Sequence, residues 1–308
     1  MTLAELVIDL TAPTVPALRF VALGDSITVG LGDGISMGTR GSGGGAVGVN
    51  AGRGWAAALA TCLGAAGTPA AAFTNLATTG ARVRDVREQQ LPVALGLQPH
   101  VASVLAGMND VIRGDFDQGR VAADLAETVH VLRASGAIVL LARVHDPGVL
   151  LRIPAGLRRA LLARITVLND TVDALAAGDA GVLLLDLPAH PECYARTTWD
   201  VDRVHPGARG HLLLARGFAE LLTRGGVPLR RLPDPGPAGR APSTLAHLWW
   251  LTSRGLPWLV LRSKGVWSGL GPLLAARTRP RGGAEHPAAS ATVGEATPTR
   301  RDHHAHRP

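Results

Sequence analysis

The chain has 308 residues, 46% of them hydrophobic and 18% charged, with a formal net charge of +7. Aromatics at 4% and only two cysteines exclude a disulfide-stapled scaffold and argue against an aromatic stacking surface for nucleic acid. No run of eighteen apolar residues occurs, which excludes a transmembrane helix. The charge is unevenly placed. Residues 1–222 hold 18 basic and 20 acidic side chains, a net of −2, and residues 223–308 hold 13 and 4, a net of +9. The basic character belongs to a tail, so nucleic acid is not the expected partner of the folded body.

In chain order, the N-terminal extension 1–18 lacks a basic n-region and a long apolar h-region, so it does not read as a secretory signal. That predicts a cytoplasmic location, with Cys62 and Cys193 as separate thiols. From Arg19 onward, short apolar runs at Phe20–Leu23, Ala71–Leu76, Val101–Ala106, Ile138–Ala142 and Val182–Leu185 predict strands. The runs are continuous, as in strands buried on both faces. Between them, apolar residues recur at helical spacing over Gly54–Leu63, Val83–Leu91, Val121–Arg133, Leu157–Ala176 and Ala208–Leu222. This alternation predicts right-handed βαβ units and an α/β fold with about five parallel strands, in which ligands bind at the carboxyl ends of the strands.

The glycine-rich stretch 30–54 follows the first strand and its turn. It contains Gly43-Gly44-Gly45-Ala46-Val47-Gly48, which fits G-x-G-x-x-G but follows no strand, so a dinucleotide site is not expected. The stretch reads instead as a flexible lip over the site. Residues 225–244 are rich in Pro and Gly and read as a linker. The segment 245–278 carries Trp249, Trp250, Trp258 and Trp267 among leucines, with Arg254, Arg262 and Lys264 interspersed. It reads as a helical segment packing its tryptophans onto the core, with contact to a membrane surface as the alternative. Residues 279–308 are of low complexity and expected to be disordered; His303, His304 and His306 lie there.

Four short blocks carry the chemistry. Gly24-Asp25-Ser26 follows the first strand, where a serine at a helix start exposes its hydroxyl near backbone N–H groups. Asn75 to Gly80 follows the second, and a glycine there lets a substrate oxygen approach its N–H. Gly107-Met108-Asn109-Asp110 follows the third and offers an amide donor. Asp202-Arg203-Val204-His205-Pro206 precedes the last helix. Its spacing can set a carboxylate on one imidazole nitrogen and leave the other for a serine proton. Pro206 suits a first helical position. Each block alone also fits an ordinary cap or turn.

Taken in order, the four blocks resemble the SGNH, or GDSL-type, hydrolase family, from about Arg19 to Leu222. Ile27 stands where the family name has Leu. The resemblance implies a flavodoxin-like three-layer α/β/α sandwich spanning 19–224, and an ester hydrolase. It implies Ser26 as nucleophile, His205 as general base and Asp202 as the group that orients it. The oxyanion hole would be the N–H groups of Ser26 and Gly80 with the Asn109 side chain, supported by Gly24, Asp25 and Asp110. The expected partner is a small-molecule ester, with no cofactor and no metal. Transfer of the acyl group to an alcohol or amine is the alternative outcome of the same intermediate. A non-catalytic membrane- or nucleic-acid-binding protein is the more distant one. The G-x-S-x-G elbow of α/β-hydrolases is absent around Ser26. Asp33 and Arg53, which flank the glycine-rich stretch, read either as substrate contacts or as loop and helix-start residues, and Trp55 reads as core.

Overall fold

The apolar runs become the strands β1 (Arg19–Gly24), β2 (Ala72–Asn75), β3 (Val101–Leu105), β4 (Ile138–Ala142) and β5 (Val182–Leu185) of a computed structural model. All pair in parallel, in the order β2-β1-β3-β4-β5. The structure describes residues 17–33, 53–151 and 153–255. Contacts divide the chain into Met1–Arg277 and Thr278–Pro308, and every described residue lies in the first unit. Residues 34–52, Trp258, Lys264, Trp267 and the stretch 279–308 lie outside the described residues.

The helices are α1 (Ser26–Val29), α2 (Gly54–Ala60), α3 (Val83–Asp85), α4 (Leu91–Gly96), α5 (Met108–Val111), α6 (Gln118–Ala134), α7 (Pro147–Leu151), α8 (Ala155–Gly178), α9 (Ala208–Arg224) and α10 (Thr244–Trp250). A π-helical turn, Val86–Gln90, joins α3 to α4, and another, Leu251–Gly255, extends α10. The sequence signals α1 and α5 only as caps and does not signal α7. Each of these has four or five residues, too few to show a helical period.

Strand side chains alternate between two cores, as the period of two requires. Val21, Leu23, Val104, Val139 and Leu141 meet Val86, Leu125, Ile165 and Leu168 from the helices between β2 and β5. Phe20, Ala22, Ile138 and Leu140 face the opposite way, onto Trp55 and Leu59 of α2 and Leu214 and Phe218 of α9. The result is the three-layer α/β/α sandwich that the family resemblance implies. Trp55 and Phe218 are fully buried, with ring centroids 5.0 Å apart. Cys62 and Cys193 are buried free thiols, and burial pushes Cys193 up to about 11.

The helix α9 starts at Ala208, where the apolar periodicity begins, and not at Pro206. Instead Pro206 forms an antiparallel bridge with Trp199, closed by Asp200 N–H to the His205 carbonyl (2.9 Å) and Gly207 N–H to the Thr198 carbonyl (2.9 Å). Gly207 then caps the helix. The bridge holds the preceding loop extended, which matters for His205.

Between β1 and β3 the connections depart in opposite directions, the switch point where such sheets bind ligands. Among the described residues no helix is long and apolar enough to cross a membrane. Phe218 fills the α2–α9 interface without a polar atom. Phe218→Ala should therefore cost about 3–5 kcal/mol, read from the urea midpoint at unchanged m-value.

Candidate active site

Gly24 ends β1 in a backbone conformation (φ 147°) that favours glycine, and a Cβ there would lie 2.3 Å from the Leu105 carbonyl oxygen. This close approach lets Asp25 N–H donate to the Leu105 carbonyl at 3.2 Å and turns the chain into α1 at Ser26. On its other side, Gly24 is clamped by Gln90. Gln90 Oε1 accepts from Gly24 N–H at 2.8 Å, and Nε2 donates to its carbonyl at 3.0 Å. Gln90 thus stands in for a neighbouring strand where β2 has already ended. Sequence reading missed it, because a glutamine on an amphipathic helix reads as surface; it is buried here.

Ser26 and His205 are 179 residues apart in the chain, yet Ser26 Oγ and His205 Nε2 are 2.9 Å apart. His205 Nδ1 lies 2.6 Å from Asp202 Oδ2. The other oxygen, Asp202 Oδ1, accepts from the N–H groups of Val204 (2.8 Å) and His205 (2.9 Å). Burial pushes the Asp202 carboxyl up, but the His205 bond and charge and the two backbone donors together hold it below its ordinary value. An ionised Asp202 makes Nδ1 the donor, so the Nε2 lone pair faces the Ser26 hydroxyl. Such a chain can accept the hydroxyl proton as the oxygen attacks a carbonyl.

Asn109 lies in α5, next to its N-terminal end. Its Nδ2 donates to the Ala81 carbonyl at 3.0 Å and to Asp25 Oδ2 at 3.2 Å. Asp25 Oδ1 accepts from Ile27 N–H, capping α1. Gly80, next to Ala81, has φ 83°, and its loop is tied to β1 by Thr78 N–H donating to the Gly24 carbonyl at 3.2 Å. The N–H groups of Ser26 and Gly80 have no acceptor among the described residues. Asp110 holds the same loop from below. It accepts from Val83 N–H (3.0 Å) and Arg82 Nε (3.3 Å), and Arg82 also grips Asp115 with both Nη atoms. Burial pushes Asp110 up against these donors.

Burial also pushes Asp25 up to about 6, partly opposed by the Ile27 N–H, the His205 charge and the Asn109 amide. Beside it is a cavity of about 70 Å³ lined by Asp25, Leu105, Met108, Val144, His145 and Trp199. His145, in the loop after β4, was not foreseen from sequence. Its ring lies 4.3 Å from that of Trp199, and burial pushes it down to about 4, so it is neutral at pH 7. Asp33 accepts from Gly54 N–H at 2.8 Å and so serves the start of α2, while Arg53 is exposed and donates to the Asp33 carbonyl. His211 accepts from Trp55 N–H at Nδ1 and bonds the Leu31 carbonyl through Nε2, fastening both flanks of the segment 34–52 to α9. Among the described residues no cluster of His, Cys, Asp and Glu could hold a metal ion.

A doubly wound parallel sheet with serine, imidazole and carboxylate in hydrogen-bonded sequence at its switch point is the frame of a serine hydrolase. A model of the GDSL-like Lipase/Acylhydrolase family matches residues 22–213, and the chain belongs to that family. It is an ester-bond hydrolase of the SGNH type. Among solved structures it is similar to TesA, with 19% identity over 67% of this chain and 99% of that one and a TM-score of 0.48. It is also similar to the acetyl xylan esterase Axe2 from Geobacillus stearothermophilus, with 23% identity over 70% and 97% and a TM-score of 0.49. The psychrotrophic esterase EstA from Pseudoalteromonas sp. shares 13% identity over 67% and 97%, with a TM-score of 0.47. No curated protein matches the sequence. The family match, not these likenesses, carries the assignment.

The raised Asp25 carboxyl has a signed consequence. The folded state keeps its proton between about pH 4 and pH 6, where the unfolded chain has lost it, so stability from this group falls as pH rises through that window. The span corresponds to about 3 kcal/mol. Asp25→Asn should flatten that part of the stability–pH curve, measured by urea unfolding at a series of pH values.

Proposed function

We propose that the chain hydrolyses carboxylic esters through an acyl-enzyme on Ser26, with 19–224 as the catalytic domain and 225–244 as the linker after it. The observation that carries this is the continuous chain from Asp202 Oδ2 through His205 to Ser26 Oγ, at 2.6 and 2.9 Å. Ser26 Oγ attacks the carbonyl carbon as His205 Nε2 takes the hydroxyl proton. The new oxyanion receives the N–H groups of Ser26 and Gly80. The Asn109 amide joins them by giving up its 3.2 Å contact to Asp25, the longer of its two bonds. Collapse expels the alcohol with the proton from His205. Water then attacks the acyl carbon as His205 takes its proton; on collapse His205 returns that proton to Ser26 Oγ and the carboxylic acid leaves.

The cavity beside Asp25 supports a small, apolar acyl group. Leu105, Met108, Val144 and Trp199 line it together with Asp25 and Arg143, next to Ser26 rather than around it, and its volume of about 70 Å³ suits an acyl chain of a few carbons. His145, held neutral by burial, adds a polar edge without adding a charge. A cytoplasmic location is supported by the two separate buried thiols. For the segment 245–278 a membrane surface is the proposed partner, because Leu245, Leu248 and Trp249 stand exposed while only Trp250 of its two described tryptophans is half-buried.

Ser26→Ala should abolish both fluorophosphonate labelling and ester turnover; labelling that persists would refute the assignment. Asn109→Ala should lower kcat by about 100- to 1000-fold at nearly unchanged KM. A chain-length series of activated esters, run with and without an alcohol acceptor, should give its highest kcat/KM at the shortest acyl groups. Product analysis of the same series separates hydrolysis from transfer.

A further inference from the structure

The helix α10 is fastened to the loop that carries Asp202 and His205. His247 is buried, and its Nδ1 lies 2.5 Å from the carbonyl of Val201, the residue before Asp202. Arg196 Nη2 donates to the Pro242 carbonyl at 2.8 Å, just ahead of the Ser243 cap of α10. Arg209, at the start of α9, reaches the Pro235 carbonyl at 3.1 Å and also the Gly236 carbonyl. Residues 235–247 are therefore strapped across the catalytic loop rather than trailing from it.

With His247 turned inward, the opposite face of α10 points away from the body. Leu245 is 79% exposed, Leu248 51% and Trp249 74%. They are spaced by three and four residues, so they form one continuous stripe on the helix. Val204, beside His205, and Val149, which with His247 lines the crevice between α7 and α10, are also exposed. An amphipathic helix normally turns such a stripe inward; this one turns a histidine inward and leucine and tryptophan outward.

The surrounding chain selects a partner for this stripe. From Thr223 to Thr278 it has eight basic residues and one acidic residue, Asp234. An exposed leucine–tryptophan stripe within a strongly cationic segment matches an anionic bilayer, whose headgroups attract the arginines and whose acyl boundary takes the apolar side chains. Tryptophan suits that boundary because its ring is apolar and its N–H remains wet.

We propose that Leu245, Leu248 and Trp249 dock on an anionic lipid surface and that the His247–Val201 link thereby holds the catalytic loop at the bilayer. This deepens the membrane reading given above and is independent of the chemistry at Ser26, so the two fail separately.

The test is co-sedimentation of the full chain with vesicles of phosphatidylcholine alone or of phosphatidylcholine with phosphatidylglycerol. Expected are binding to the anionic vesicles, weakened by salt, and shielding of Trp249 from an aqueous quencher, read as the difference from Trp249→Phe. The doubly substituted Leu245→Ser, Trp249→Ser chain should bind about tenfold or more weakly. Its turnover of a soluble short-chain ester should be unchanged, which shows that it is folded. Ser26→Ala should bind like the parent.

Three results would overturn the proposal. One is no binding to anionic vesicles. Another is binding that the double substitution leaves intact. The third is a dimer in sedimentation equilibrium that the double substitution dissolves, which would give the stripe to a second copy of the chain.

Discussion

Everything at the site is referred to the junction where the end of β1 lies against the end of β3. Gly24 pairs in register with Leu105, and their approach leaves no room for a Cβ. That contact lets the chain turn at Asp25 with its N–H on the Leu105 carbonyl, so that Ser26 emerges at a helix start. It also fixes the distance from the β1 turn to the β3 turn, and hence the reach from Asp25 to Asn109. The sheet order places these two turns side by side because β1 and β3 are neighbours while their connections leave in opposite directions.

Most polar groups around the junction are committed to hydrogen bonds, Thr28 Oγ1 being buried without one. Gln90 satisfies both backbone groups of Gly24, and Asn75 donates to the Thr28 carbonyl at 2.7 Å. Asp110 holds the start of α3, and through it the loop bearing Gly80. Left unpaired when buried, groups of this kind cost about 1–3 kcal/mol each. The N–H groups of Ser26 and Gly80 are free of this web among the described residues, the property expected of donors that wait for a charge which develops only during reaction.

Asp25 and Asp202 differ, although both are buried carboxylates of the site. Asp202 is held ionised by an imidazole and two backbone N–H groups, whereas Asp25 is pushed towards its protonated form because burial outweighs its donors. Two carboxyls close to one serine thus differ in charge preference, and the difference comes from donor count and desolvation rather than residue type. On the other flank, the bridge between Trp199 and Pro206 presents His205, while the strap of residues 235–247 rests on the same loop. The loop bearing Asp202 and His205 is therefore held on one side by the core and on the other by the segment that faces outward.

The amino-acid sequence by itself determined the strand–helix alternation, the five strands and the four blocks at their ends. These are local: apolar runs, periodicity and turn residues act over a few positions and leave a direct mark. Ser26, Gly80, Asn109, Asp202 and His205 could be singled out because their blocks, three after strands and one before the last helix, follow the order of the family that they resemble. Only the tertiary structure decided how Ser26 and His205, far apart in the chain, come within 2.9 Å. It also decided that Gln90 is buried against Gly24, that Asp33 accepts from the Gly54 N–H at the start of α2, and that the stripe on α10 faces outward. None of these leaves a local mark. A glutamine that completes a strand and one that faces water have the same neighbours in sequence, and differ only in what the packed sheet brings against them.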